Sequence, residues 1–86
     1  MIKGKTKSGF NYAISQERME NYEMIEALNE LDKNPMKLPK VINLLLGNDG
    51  AKRLKDHVRT DDGIVPSKVM MNEIQEIFES HKQTKN

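Results

Sequence analysis

The residues whose chemistry invites a functional reading are a carboxylate pair at Asp61-Asp62-Gly63, two histidines, four serines and the segment Gly47-Asn48-Asp49-Gly50. A calcium loop of the EF-hand type needs oxygen ligands at fixed positions and a bidentate Glu at the twelfth. Counted from Asp61, that position is Asn72, and Pro66 falls inside the loop. The spacing fails, and Thr60-Asp61-Asp62-Gly63 reads as a sharp polar turn between helices. His57 and His81 lie far apart in sequence, and even a catalytic zinc takes three protein ligands; both read as helix residues, exposed or half-exposed. Ser8, Ser15, Ser67 and Ser80 fall at a turn, two apparent caps and a helix end, and none sits in a Gly-x-Ser-x-Gly elbow. Gly47-Asn48-Asp49-Gly50 lacks the lysine of a phosphate loop. No catalytic residue, metal ligand or cofactor site is expected, and the sequence reads as a non-enzyme.

The chain has 86 residues, of which 36% are hydrophobic, 31% charged and 5% aromatic, with no cysteine. That length suits one small domain with a thin core. The missing cysteines exclude disulfides, thiol catalysis and thiolate zinc sites. No apolar run approaches the roughly 18 residues of a membrane span, and the start reads as no secretory signal. A soluble intracellular protein is expected.

A net charge of +1 conceals segregation. Lys3, Lys5 and Lys7 make the first stretch positive, and Glu17, Glu20, Glu23, Glu26, Glu30 and Asp32 make the next negative. Residues 33–59 are basic again and residues 60–86 mildly acidic. Blocks of opposite sign suit contacts between complementary surfaces, within one chain or between two.

These residues need elements to position them. Ile2 to Thr6 and Phe10 to Ile14 alternate around a Lys7-Ser8-Gly9 turn, the pattern of a β-hairpin with one apolar and one lysine-bearing face. Ser15 can cap a helix whose apolar positions Tyr22, Met24, Ile25, Leu28 and Leu31 follow helical spacing up to Asn34-Pro35. A second helix starts with Pro39 in its first turn and stops at Gly47; it is apolar nearly all round and should form the centre of the core. Asn48 or Asp49 can cap a third, from about Gly50 to Arg59, with Leu54 and Val58 inward. Pro66 or Ser67 opens a last helix carrying the stripe Met70, Ile74, Ile77 and Phe78. The expected fold is α+β and mostly helical: an N-terminal β-hairpin packed on about four short α-helices. Residues 1–81 form the domain, and 82–86 a polar, frayed tail.

Two features suit binding. Glu23, Glu26 and Glu30 stand at i, i+3 and i+7, a stripe of like charge that slightly destabilises a lone helix. It serves solubility, pairs with the chain's own Lys52, Lys55 and Arg59, or docks a partner. The second is methionine, which adapts to varied apolar partners. Met24 and Met70 fall on inward stripes, whereas Met36, in a loop, and Met71, off its stripe, are candidates for a partner-facing patch. An alternative site is the basic helix with Lys52, Arg53, Lys55 and Arg59, which could grip nucleic-acid phosphates. A pI near 8.0 is low for such a domain, and nucleic acid is not the expected partner.

The order of features resembles a known family. Lys7-Ser8-Gly9-Phe10 is followed by Glu26-Ala27-Leu28-Asn29-Glu30-Leu31-Asp32, Leu38-Pro39-Lys40-Val41 and Leu44-Leu45-Leu46-Gly47. Then come Leu54-Lys55-Asp56-His57-Val58-Arg59, Asp61-Asp62-Gly63-Ile64-Val65-Pro66 and Glu73-Ile74-Gln75-Glu76-Ile77-Phe78-Glu79. Over residues 7 to 79 this resembles the small tail assembly chaperones of siphophages and prophages of Gram-positive bacteria. The resemblance implies a protein of the bacterial host cytoplasm that binds the tape measure protein and supports assembly of the tail tube protein around it. It supplies no residue-level binding motif. Two other readings stand beside it: a small prophage DNA-binding regulator using helix 50–59, and a structural tail or head-completion protein. A thin core and an apolar second helix leave a homo-oligomer open, a closed dimer being the commonest form.

Overall fold

The computed structural model describes residues 1–81, and the frayed tail expected over 82–86 lies outside them. Strands β1 (Ile2–Lys5) and β2 (Asn11–Ile14) pair antiparallel, with Ile2 opposite Ile14 and Gly4 opposite Tyr12. Their connection turns through Gly9 at φ 97°. The Thr6 N–H donates to the Phe10 carbonyl at 2.9 Å, and the Phe10 N–H returns to Thr6 Oγ1 at 3.1 Å. Phe10, Tyr12 and Ile14 are buried while Lys3, Lys5 and Lys7 face outward, as the alternation predicts. A hairpin alone is marginal in water; this one rests its apolar face on the helices. The Tyr12 ring also covers Gly4, where a Cβ would collide with the ring and its hydroxyl.

The single helix expected after Ser15 is two. Ser15 caps α1 (Gln16–Met19), its side chain accepting from the Arg18 N–H. The chain then breaks, and Asn21 adopts extended dihedrals to start α2 (Tyr22–Lys33), its Oδ1 accepting from the Glu23 N–H at 2.9 Å. A short polar side chain that satisfies the backbone locally competes with helix continuation, which is why a continuous apolar pattern conceals the break. Met24 and Ala27 are buried, Leu28 and Leu31 half-buried, and Tyr22 and Ile25 stand 69% and 59% exposed. Small Ala27 lets α2 lie close on the helix beneath it.

Asn34 ends α2, and its Oδ1 accepts from the Met36 N–H at 3.1 Å to seed a 3₁₀ turn, Pro35–Lys37. The two helices expected on either side of Gly47 are present and abut directly: the element α3 (Leu38–Val58) is interrupted at Gly47, whose φ 76°, ψ 173° is not helical. Left-handed φ is the conformation only glycine takes without strain. Helix resumes at once beyond it, before the cap expected at Asn48 or Asp49 has room to act. Leu38, Val41, Ile42 and Leu45 before the kink, and Ala51 and Leu54 after it, are buried. α3 is therefore the spine of the core. The turn at Thr60 closes by a Thr60 N–H bond to the Ile64 carbonyl at 2.8 Å, and α4 (Ser67–His81) buries Met70, Ile74 and Ile77. Phe78, expected on the same stripe, is half-buried. The architecture is mostly helical α+β, with a two-stranded sheet at one end. No helix of the described residues is long and apolar enough to cross a membrane.

Candidate functional site

α2 and α4 both pack on α3, and an open groove of about 640 Å³ lies between them. Leu28 and Leu31 line one wall, Met71, Ile74 and Phe78 the other, and Pro35 closes an end. Its charged lining residues are Asp32 and Glu79, one on each rim and both exposed. Helical spacing puts Ile25 on the same flank of α2 as Leu28 and Asp32 (i, i+3 and i+7), so exposed apolar surface continues along α2 beyond the groove.

The sequence-derived binding residues divide about this groove. Met71 is part of the wall. Met36, 82% exposed, follows Pro35 at the closed end. Glu23, Glu26 and Glu30 are exposed on the other flank of α2, where the three-residue spacing turns them away from Ile25, Leu28 and Asp32. Among the described residues they form no ion pair, and the internal pairing weighed for them does not occur: Lys52 and Arg59 both pair with Asp56, at 3.8 and 3.1 Å. The groove itself has no signature in the sequence, because its two walls are 40 or more residues apart; Met71 lying off its buried stripe is the local trace of it.

The basic helix face is largely engaged. Arg53 Nη2 donates to the Asn11 carbonyl at 2.7 Å, and the guanidinium lies 5.1 Å from the Phe10 ring centroid, a cation–π arrangement. Arg59 also donates to the Gly63 carbonyl at 3.1 Å. Asp56 sits amid these cations, so the face is not a uniform phosphate grip. Lys55 instead lines a second, smaller cavity of about 290 Å³ beside Leu38, Ile42 and Met70.

One polar cluster escaped the sequence reading. Glu73 is 5% exposed, on the stripe between Met70 and Ile77, and a carboxylate at i+3 on a buried stripe was the signal for it. Ser8 Oγ, at the hairpin tip, donates to Glu73 Oε2 at 2.8 Å and lies 3.0 Å from His57 Nε2 and 3.1 Å from Thr6 Oγ1. Because the Ser8 proton goes to Glu73, the histidine donates through Nε2–H to Ser8. Glu73 Oε1 is buried without a partner. Serine, histidine and carboxylate thus meet, but the serine stands between the other two. A catalytic triad needs the histidine between serine and acid, oriented by the acid to accept the serine proton, and this wiring runs the other way. Beside it the Lys7 N–H donates to Glu76 Oε2 at 2.7 Å, and further along α4 the Tyr12 hydroxyl meets His81 Nε2 at 2.8 Å. The cluster fastens the hairpin to α4.

No protein-family model, curated protein or solved structure matches the chain.

Proposed function

We propose that this chain is a non-enzymatic assembly factor of phage tails. It binds the tape measure protein in the bacterial cytoplasm, keeps it soluble, and releases it as tail tube subunits assemble around it. The observation that carries this reading is the uncovered apolar groove between α2 and α4, walled by Met71 and Phe78. A long amphipathic client needs cover that tolerates many sequences, and flexible methionines with open apolar walls provide it. The order of sequence features, which resembles that of siphophage tail assembly chaperones, suggests the client. The engaged state of Arg53 and Arg59 makes the DNA-binding alternative the weaker one.

The test is co-expression with the tape measure protein of the same gene cluster, scoring soluble co-purification. Wild type is expected to rescue the client. A Glu23→Lys, Glu26→Lys, Glu30→Lys variant tests whether the outer flank of α2 takes part. Absence of rescue by the folded wild-type protein would remove the reading.

A further inference from the structure

Resting on the reading of the groove as a docking face, we infer that it takes one chemical class of occupant: an amphipathic helix whose apolar edge is flanked by lysine or arginine. The walls set the shape. On α4 the lining runs from Met71 to Glu79, two helical turns or ~12 Å. An inserted helix would therefore anchor through side chains at i, i+3 or i+4, and i+7. The rims set the charge. Asp32, on α2, and Glu79, on α4, both line the groove and are exposed, and among the described residues no lysine, arginine or histidine lines it. The polar remainder of the lining, Asn29 and Gln75, is neutral. Two copies of this face brought together would place acidic rims against each other, which electrostatic complementarity disfavours; a second copy docking groove to groove is therefore the wrong occupant.

The experiment uses the full chain with methyl-labelled methionine and three synthetic peptides of about 18 residues, long enough to overrun the groove. The first has a leucine stripe flanked by lysines, the second the same stripe flanked by glutamates, and the third the lysines with serine in place of leucine. The basic amphipathic peptide is expected to shift the Met71 methyl signal and to bind about fivefold to tenfold more tightly than the acidic one, the scale of two exposed ion pairs. The serine peptide should leave Met71 unmoved. In an Asp32→Lys, Glu79→Lys variant, which changes two exposed side chains and leaves the core intact, the preference should reverse towards the acidic peptide. Equal binding of the two leucine peptides, an unchanged preference in the charge-swapped variant, or binding that leaves Met71 unmoved would each overturn the inference, as would no binding at all. Client rescue in co-expression without peptide binding would keep the assembly role and discard this occupant.

Discussion

Arg18 closes the kink that Gly47 opens. The guanidinium Nη1 donates to the carbonyls of Leu44 at 2.9 Å and Asn43 at 3.3 Å, on the last turn before the chain leaves helical dihedrals at Gly47. A cation there also faces the negative end of a helix segment. A Cβ at position 47 would lie 3.2 Å from Arg18 Nη2, the movable end of a long side chain, so it is the positive φ that selects glycine. The short helix α1 thereby holds the centre of the long one.

Gly47→Ala is expected to destabilise the protein by about 1–3 kcal/mol, the scale of holding a residue with a Cβ in a backbone region open essentially to glycine alone. Arg18→Ala should cost about 1 kcal/mol through lost charge-assisted bonds. The pair should be non-additive, because both changes disturb one kink. Urea denaturation of the two single variants and the double variant measures this.

Gly4→Ala should destabilise through collision with the Tyr12 ring, by about 1–3 kcal/mol on the scale of overpacking. Tyr12→Val loses buried packing of its own, but in that background Gly4→Ala should cost less than in wild type, because the ring it meets is gone. Tyr12→Phe alone deletes the bond to His81 and keeps the ring; about 1 kcal/mol is expected. Thermal unfolding of Gly4→Ala, Tyr12→Val, their combination and Tyr12→Phe distinguishes the packing role of Tyr12 from its hydrogen bond.

Ser8→Ala strips a buried carboxylate of its donor, which should cost about 1–3 kcal/mol. Glu73→Gln keeps an acceptor for the Ser8 hydroxyl and should cost less. The Ser8→Ala, Glu73→Met variant replaces both polar partners and should be more stable than Ser8→Ala alone. Denaturant midpoints that rank the variants otherwise would mean that the cluster contributes something besides fastening.

The Glu23→Lys, Glu26→Lys, Glu30→Lys variant should unfold within about 0.5 kcal/mol of wild type, since these exposed side chains have no ion-pair partner to lose. An equal denaturation midpoint makes the variant a clean probe of binding. A large fall would mean that the stripe supports the fold.

Local signals carried most of the fold. Strict alternation around Lys7-Ser8-Gly9 gave the hairpin faces, and the i, i+4, i+7 stripe of α4 placed Met70, Ile74 and Ile77 inward. The break at Asn21 was hidden because an asparagine within an apolar pattern caps or continues a helix according to its dihedrals. Tyr22 and Ile25 stand outward because, at about 100° per residue, they lie about 200° and 100° round α2 from the buried Met24. At Gly47 the glycine announced an interruption, whereas the partner of the carbonyls just before it, Arg18, lies some 29 residues earlier. The groove is a property of two helices held apart on a third, so no single segment could announce it. The acidic stripe and the methionines were legible as surface features; that they occupy different flanks was not.

The hairpin tip and the last helix are joined by Ser8 to Glu73, Lys7 to Glu76 and Tyr12 to His81, across sequence separations of 65, 69 and 69 residues. During synthesis the ribosome makes the hairpin long before α4, so these fastenings close late, after nearly all the chain between them has emerged. Long-range closure of this kind slows folding relative to local helix packing. Until it happens Phe10, Tyr12 and Ile14 lack part of their cover, and the nascent chain carries a sticky edge of its own. Once closed, the same seam ties one wall of the groove to the opposite end of the sequence, so that loosening the hairpin would leave α4 held by its apolar packing on α3 alone.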